Sequence, residues 1–326
     1  MASGGTDNRA VGWIKRIQYA LEWATVAAIR KALSLLPWRV AVAIGAVAGD
    51  FAYCLAIRRR VVLANLAQAF PEWDGRRRRR AARRVYHHAW RGLVESFLLQ
   101  TLSPEEMDRL VEGIEGFDLV RPIIEAQRPF IVVTGHIGNW EMMGAYFARQ
   151  GYRIKVFAKP LHNPVLEADL LAARRAVGLD VIYTGEGLKP ALRHLRDGGV
   201  LVFLADQDAR RAGIAVPFFG APASTALGPA MFAYLGRAPI VPVFAIRVGT
   251  LHHRYIISPP IEPLPGEKRE AALERMTRAH VEALERIIRK YPEQYFWFHR
   301  RWKTGIEKMT RAKTDELEPP TEDVET

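Results

Sequence analysis

A histidine and a glutamate five residues apart, His136 and Glu141, stand where a β-branched apolar run meets the start of a helix, in Phe130 to Gly144, FIVVTGHIGNWEMMG. A neutral imidazole is well matched to taking a proton from a hydroxyl near neutral pH, and a carboxylate partner can fix its tautomer and steady the imidazolium that forms. Positions five apart on a 3.6-residue helix point about 140° away from each other. The two side chains can therefore meet only if His136 lies before the helix proper, in a bend that Gly135 and Gly138 permit. So placed, backbone amides at the helix start, Gly138 among them, could bind a developing oxyanion. That is acyl-transfer geometry without a covalent intermediate. On spacing alone, a histidine that merely caps a strand end fits as well.

A covalent route has no candidate nucleophile. The single cysteine, Cys54, is far in sequence from the motif, and no serine stands in a G-x-S-x-G elbow. One thiol also excludes an intramolecular disulfide and a cysteine-based metal site, and no metal or cofactor is expected. His87 and His88 are adjacent on an expected helix, Val85 to Leu102, and so face different ways rather than sharing a metal. His252 and His253 open a late strand, near Tyr255 to Ser258, and read as edge or loop residues.

The elements that must position the motif alternate. Strands are expected at Arg153 to Ala158, Val181 to Tyr183, Val200 to Ala205 and Ile240 to Ile246, with helices over about Asn163 to Val177, Leu188 to Arg196 and Ser224 to Leu235. This is an α/β chain with a central, mostly parallel sheet flanked by helices. Ligands in such sheets bind outside the carboxyl ends of the strands. His136 follows one strand end and Asp206 another, so the two could share a cleft, although Asp206 also fits a turn cap. Pro259 to Gly266 separates the sheet region from a final amphipathic helix, Lys268 to Lys290.

The ends of the chain differ from its middle. Residues 1–60 read as two helical segments, 61–310 as the sheet-bearing domain, and 311–326 as an acidic, solvated tail. Leu21 to Pro37 and Trp38 to Ile57 are each near spanning length, yet charges interrupt or flank them and neither is a clear span. No cleavage site for a signal follows. Trp13, Trp23 and Trp38 among basic residues suit helices lying at a membrane interface, and two amphipathic helices packed on the domain suit the same pattern. Gly45 and Gly49 give a weak helix-pairing signal.

With 47 Lys plus Arg against 35 Asp plus Glu, the formal charge of +12 points to anionic partners. The run Arg76 to Arg80, with Arg83 and Arg84 beyond it, is either a solvated helix start or a contact for anionic headgroups. A nucleic-acid binder would explain the charge but not the apolar N-terminal region. No helix-turn-helix, zinc-finger or RNP-type signature is present, so no nucleic-acid partner is expected.

Three segments together carry a family resemblance. His136-Ile137-Gly138-Asn139-Trp140-Glu141 resembles the H-x-x-x-x-E signature of the lysophospholipid acyltransferase superfamily and, within it, the late acyltransferases of lipid A biosynthesis. Leu204 to Thr225, LADQDARRAGIAVPFFGAPAST, resembles that family's middle block, and Pro292 to Thr304, PEQYFWFHRRWKT, its C-terminal block. The resemblance runs from about Trp13 to Lys308. It implies a glycerolipid-acyltransferase-like fold with an N-terminal membrane-associated segment, and transfer of a lauroyl or myristoyl chain from acyl carrier protein to a hydroxyl of a Kdo-bearing lipid A precursor. The implied setting is the bacterial inner membrane, with the catalytic domain on its cytoplasmic face. It implies His136 and Glu141 as the catalytic pair and an acyl carrier protein thioester as co-substrate. Asn139, Arg174, Asp206, Arg300 and Arg301 are the candidate substrate contacts, and Phe296, Trp297 and Phe298 candidate walls of an acyl channel. No F-P-E-G-x-R block is found, only Phe218-Phe219-Gly220-Ala221-Pro222, which argues against a glycerol phosphate acceptor. Phosphatidylinositol mannoside acyltransferases also resemble the H-x-G-N-W pattern, so that acceptor or an ornithine lipid is the alternative.

Overall fold

The computed structural model of the chain describes residues 5–185 and 187–304. The expected tail at 311–326 lies outside them. Four helices come first, α1 (Gly5–Ser34), α2 (Trp38–Cys54), α3 (Arg59–Ala69) and α4 (Gly75–Leu98). Then follow α5 (Pro104–Leu110), β1 (Val111–Glu115), α6 (Arg121–Glu125), β2 (Ile131–Thr134), α7 (Trp140–Arg149), β3 (Ile154–Ala158), α8 (Pro164–Ala176), β4 (Leu179–Tyr183), α9 (Leu188–Arg196) and β5 (Val200–Leu204). The chain continues through β6 (Gly213–Phe218), β7 (Ala221–Ala226), α10 (Gly228–Gly236), β8 (Ile240–Val248), β9 (His252–Ile257) and α11 (Arg269–Lys290).

Seven strands form one sheet in the order β1-β9-β8-β2-β5-β3-β4. The strands β8, β2, β5, β3 and β4 run parallel, as the alternation with helices requires; β9 returns antiparallel to β8, and β1 pairs parallel to β9. The central strands are apolar because helices cover both faces: β5 reads VLVFL and β8 IVPVFAIRV. Two expectations need correction. Ala221–Ala226 is a strand, not the start of a helix, because it pairs antiparallel with β6 in a separate two-stranded ribbon. Val216 and Ala223 are buried in that ribbon, and a short segment with polar residues between small apolar ones carried no period that would have distinguished it. His253 is fully buried rather than at an edge.

Two glycines explain how the N-terminal helices attach. A Cβ at Gly45 would lie 2.9 Å from the Trp90 carbonyl oxygen, and one at Gly49 would lie 2.7 Å from that of Tyr86. The G-x-x-x-G spacing thus pairs α2 with α4 inside the same chain. Asn65 on α3 donates to the carbonyls of Trp297 (2.7 Å) and His299 (2.6 Å), and α1 is tied to α8 by Arg30–Asp169 at 2.7 Å. Among the described residues no single helix is long and apolar enough to cross a membrane; α2 and α3 would pass only as a pair bent by 92°. With its inner face on α4, α2 leaves Val40, Ile44, Val47 and Phe51 exposed along one side, with exposed Leu55 just past its end.

Candidate active site

The chain turns sharply after β2, and Thr134-Gly135-His136 brings the imidazole to the carboxyl end of the sheet beside the end of β5. A Cβ at Gly135 would press on the Leu284 side chain of α11 at 2.8 Å, so the turn and α11 pack closely there. Gly138 has φ +59°, and a Cβ on it would meet the Ala245 carbonyl oxygen at 2.0 Å. These glycines make the bend that lets His136 precede α7.

The carboxylate that meets His136 is Asp206. Its Oδ1 lies 2.7 Å from Nδ1 of the ring, and its Oδ2 accepts the His136 backbone N–H at 2.8 Å. Glu141, expected to orient the imidazole, instead forms a two-pronged ion pair with Arg174 through Nε (3.2 Å) and Nη2. The helical geometry is the reason: Glu141 sits in the first turn of α7, facing α8, whereas Asp206 arrives from the adjacent strand end at the level of the ring. Glu141 still acts on His136 by its charge. Burial alone would lower the His136 pKa, but the charge and hydrogen bond of Asp206, with a contribution from Glu141, outweigh it and hold the imidazole above its ordinary value. Asp206 is itself buried, which disfavours its charge, yet His136, its backbone amide and Arg301 bring it down to about 2.

A carboxylate on Nδ1 selects the tautomer with Nδ1–H, leaving the lone pair on Nε2. That nitrogen lies 3.5 Å from the carboxamide of the exposed Gln207, and the His136 side chain is 18% exposed. Trp140 stands edge-on to the ring with centroids 4.7 Å apart, and Phe296 lies at 6.1 Å. The C-terminal block is the far wall of this turn. Phe296 N–H donates to the His136 carbonyl (2.8 Å), Gly138 N–H donates to that of Gln294 (3.0 Å), and Ile137 bridges to Tyr295.

Several expected contacts are structural in this arrangement. The Gly138 amide, already donating to Gln294, is not free to bind an oxyanion. Asn139 is buried: its Oδ1 caps α7 by accepting from Met142 N–H (3.0 Å), and its Nδ2 donates to Glu95 (2.8 Å). Arg301 is 2% exposed and spends its guanidinium on the Ser224 carbonyl and, at 2.6 Å, the Thr225 hydroxyl. Trp297 and Phe298 fill a core that includes Tyr86 and Phe70. Arg174 is brought to the motif, but as the partner of Glu141. Arg300 is exposed with no side-chain partner among the described residues.

Sequence reasoning missed an apolar cavity of about 80 Å³ between α7 and the sheet. Trp140 and Glu141 line it where it adjoins the site, and alternate residues of the strands form its floor: Val132 and Thr134, Val200, Val202 and Leu204, Ile154 and Val156. The period of two was a visible signal, since such residues share one face; nothing in it distinguished a wall from ordinary core. Also missed was Glu95, fully buried on α4, which binds Arg247 and Asn139. No group of three or more His, Cys, Asp or Glu able to hold a metal occurs among the described residues.

The model of the family described as bacterial lipid A biosynthesis acyltransferase matches residues 14–304. The chain is similar to the lipid A biosynthesis lauroyltransferase of Escherichia coli, 27% identical over 89% of this chain and 94% of that protein. It is also similar to the phosphatidylinositol mannoside acyltransferase of Mycobacterium tuberculosis, 23% identical over 70% of this chain and 71% of that one. A solved structure, the 1-acyl-sn-glycerophosphate (LPA) acyltransferase PlsC of Thermotoga maritima, covers 76% of this chain and 98% of its own at 14% identity and a TM-score of 0.36.

Proposed function

This chain belongs to the bacterial lipid A biosynthesis acyltransferase family, and we propose that it moves a fatty acyl chain from an acyl carrier protein thioester to a hydroxyl of a Kdo-bearing lipid A precursor, with His136 as general base. The observation that carries this is the Asp206 carboxylate on Nδ1 of His136, which leaves the Nε2 lone pair for a substrate proton. The acceptor hydroxyl gives its proton to Nε2 as its oxygen attacks the thioester carbonyl. The new carbon–oxygen bond forms, the carbon–sulfur bond breaks, and the thiolate leaves with the proton that Nε2 had taken. Asp206 steadies the imidazolium between these steps. The cavity beside Trp140, with its apolar floor, suits the part of the acyl chain next to the thioester carbonyl rather than its whole length. Glu141, paired with Arg174, tunes the His136 pKa and shapes the mouth of that cavity.

The outer stripe of α2, with Arg39 at one end and Arg58 to Arg60 at the other, lies on the cytoplasmic leaflet of the inner membrane as an interfacial helix. The arginines at the start of α4 add attraction to anionic headgroups. The likeness to the mannoside acyltransferase supports a second acceptor class, a mannosylated phosphatidylinositol.

The experiment is transfer of radiolabelled lauroyl or myristoyl groups from acyl carrier protein to a tetra-acylated Kdo-bearing precursor, with membranes containing wild type, His136→Ala or Asp206→Asn. Wild-type activity that falls by roughly a hundredfold or more in His136→Ala is the expected result. Transfer only to another glycolipid replaces the acceptor and keeps the mechanism; full activity in a folded His136→Ala ends it.

A further inference from the structure

The polar turn after β5 places three consecutive side chains, Asp206, Gln207 and Asp208, and each has a different fate. Asp206 is buried against Nδ1 of His136. Asp208 holds the chain together, accepting from the Thr304 hydroxyl at 2.6 Å and from the Arg210 amide at 3.2 Å. Gln207 does neither. It is exposed, and its carboxamide nitrogen lies 3.5 Å from Nε2 of His136, its single hydrogen-bond-range neighbour among the described residues.

That separation is long for a hydrogen bond and short enough for one oxygen atom to touch both groups. An oxygen about 2.8 Å from each nitrogen closes a triangle with them, and it then sits where a hydroxyl must be to give its proton to Nε2. The orientation of the carboxamide follows from the ring. Because Nδ1–H is directed to Asp206, Nε2 presents a lone pair, and the amide NH₂ rather than the amide oxygen is the group that faces it without repulsion. Gln207 therefore offers a donor to the same oxygen that His136 deprotonates. Consecutive residues of one turn thus address both nitrogens of the imidazole: Asp206 fixes the base, and Gln207 marks the place of its substrate.

We infer that Gln207 is a catalytic residue that donates a hydrogen bond to the attacking oxygen of the acceptor hydroxyl and holds it against Nε2 of His136. The inference rests on the reading of His136 as general base. It assigns Gln207 to the acceptor hydroxyl and not to the acyl thioester, because the contact is with the nitrogen that meets the acceptor. As the oxygen loses its proton, the amide stabilises the negative charge that builds on it; after the carbon–oxygen bond forms, the same amide is released.

The test uses full-length protein in two arms. In the first, kinetics with acyl carrier protein thioester and lipid A precursor compare wild type with Gln207→Met, which keeps the length of the side chain and removes its donor. The expected result is a fall of roughly tenfold to a hundredfold in kcat/KM for the acceptor, with the KM for the thioester within about twofold and the melting temperature unchanged. In the second, histidine NMR without any substrate follows His136 in Gln207→Glu. A carboxylate placed beside Nε2 favours the imidazolium, so the His136 titration is expected to move upward by about one unit or more. A Gln207→Met enzyme whose acceptor kcat/KM stays within about threefold of an active wild type overturns the inference alone. A His136 titration that does not move in Gln207→Glu also overturns it, since the side chain is then not at Nε2. A wild type that transfers no acyl group to any glycolipid fails the proposed function, and that failure is recognised by a silent first arm.

Discussion

Two buried carboxylates organise this molecule in opposite ways. Asp206 and Glu95 are both buried, both are brought to about 2 against the penalty of burial, and both have a histidine and an arginine as neighbours. Around Asp206 the histidine carries the interaction, and His136 is held above its ordinary pKa with one nitrogen open. Around Glu95 an arginine does: Arg247 meets both carboxylate oxygens, while His253, 3.4 Å away and fully buried, is pushed down by burial and by Arg247 despite the carboxylate. His88 is pushed down to about 3 by burial, with Arg247 and Arg91 adding to it. The same residue types thus give a partly exposed imidazole in one place and a sealed fastener in the other. Exposure of one ring nitrogen and the absence of a bound arginine at the carboxylate decide which. The sealed cluster also has a task. Through Asn139 it fixes the first turn of α7, and through α4 it ties that turn to the N-terminal helices.

The widest separation between the two regions is expected from exchanging their damage. His136→Ala should cost two to four orders of magnitude in transfer, roughly 10²–10⁴, and lose less stability than Glu95→Ala, because the backbone amide at position 136 still donates to the Asp206 carboxylate that the lost ring had paired. Glu95→Ala leaves Arg247 buried without its partner and should lose about 3–5 kcal/mol in denaturant unfolding. A Glu95→Ala protein as stable as wild type would end the view of that cluster as a fastener.

Asp206→Asn sharpens the contrast through pH. Asp206 raises the His136 pKa; without it, burial prevails and the acidic limb of kcat/KM should move to lower pH than in wild type, whose limb lies above the ordinary ~6.5. The plateau should also fall, because the imidazolium loses its counter-charge. The ion pair stabilises the fold only between the two titrations: the Asp206 share is lost as pH falls toward about 2, and the His136 share as pH rises through its elevated pKa. Asp206→Asn should accordingly flatten the stability–pH curve in that window.

Asn139→Ala joins the regions and should have an intermediate effect. It removes a helix cap and one partner of Glu95, for about 1–2 kcal/mol of stability, with activity reduced through the placement of α7. The smallest effect is expected for Glu141→Gln. Its charge acts on His136 after that of Asp206, so the acidic limb should shift downward by less than in Asp206→Asn, read from pH–rate profiles side by side.

The chain itself fixed the main lines of the fold. The apolar run before Gly135 and the alternation through the middle were local signals, because backbone geometry and side-chain period act over a few residues. The H-x-x-x-x-E spacing and the two matching blocks determined the family, and the pair of glycines permitted His136 to precede its helix. The partner of that histidine was a different matter. Glu141 was near in sequence and Asp206 was not, and only the parallel pairing of β2 with β5 sets the two strand ends side by side. Tertiary structure likewise decided that Arg301 and Asn139 serve the scaffold, that Glu95 meets Arg247 across the molecule, and that alternate apolar residues of several strands border a cavity rather than closed core. Each is a matter of which segments approach from afar, and charges or walls contributed by distant segments leave no periodic trace in any one of them.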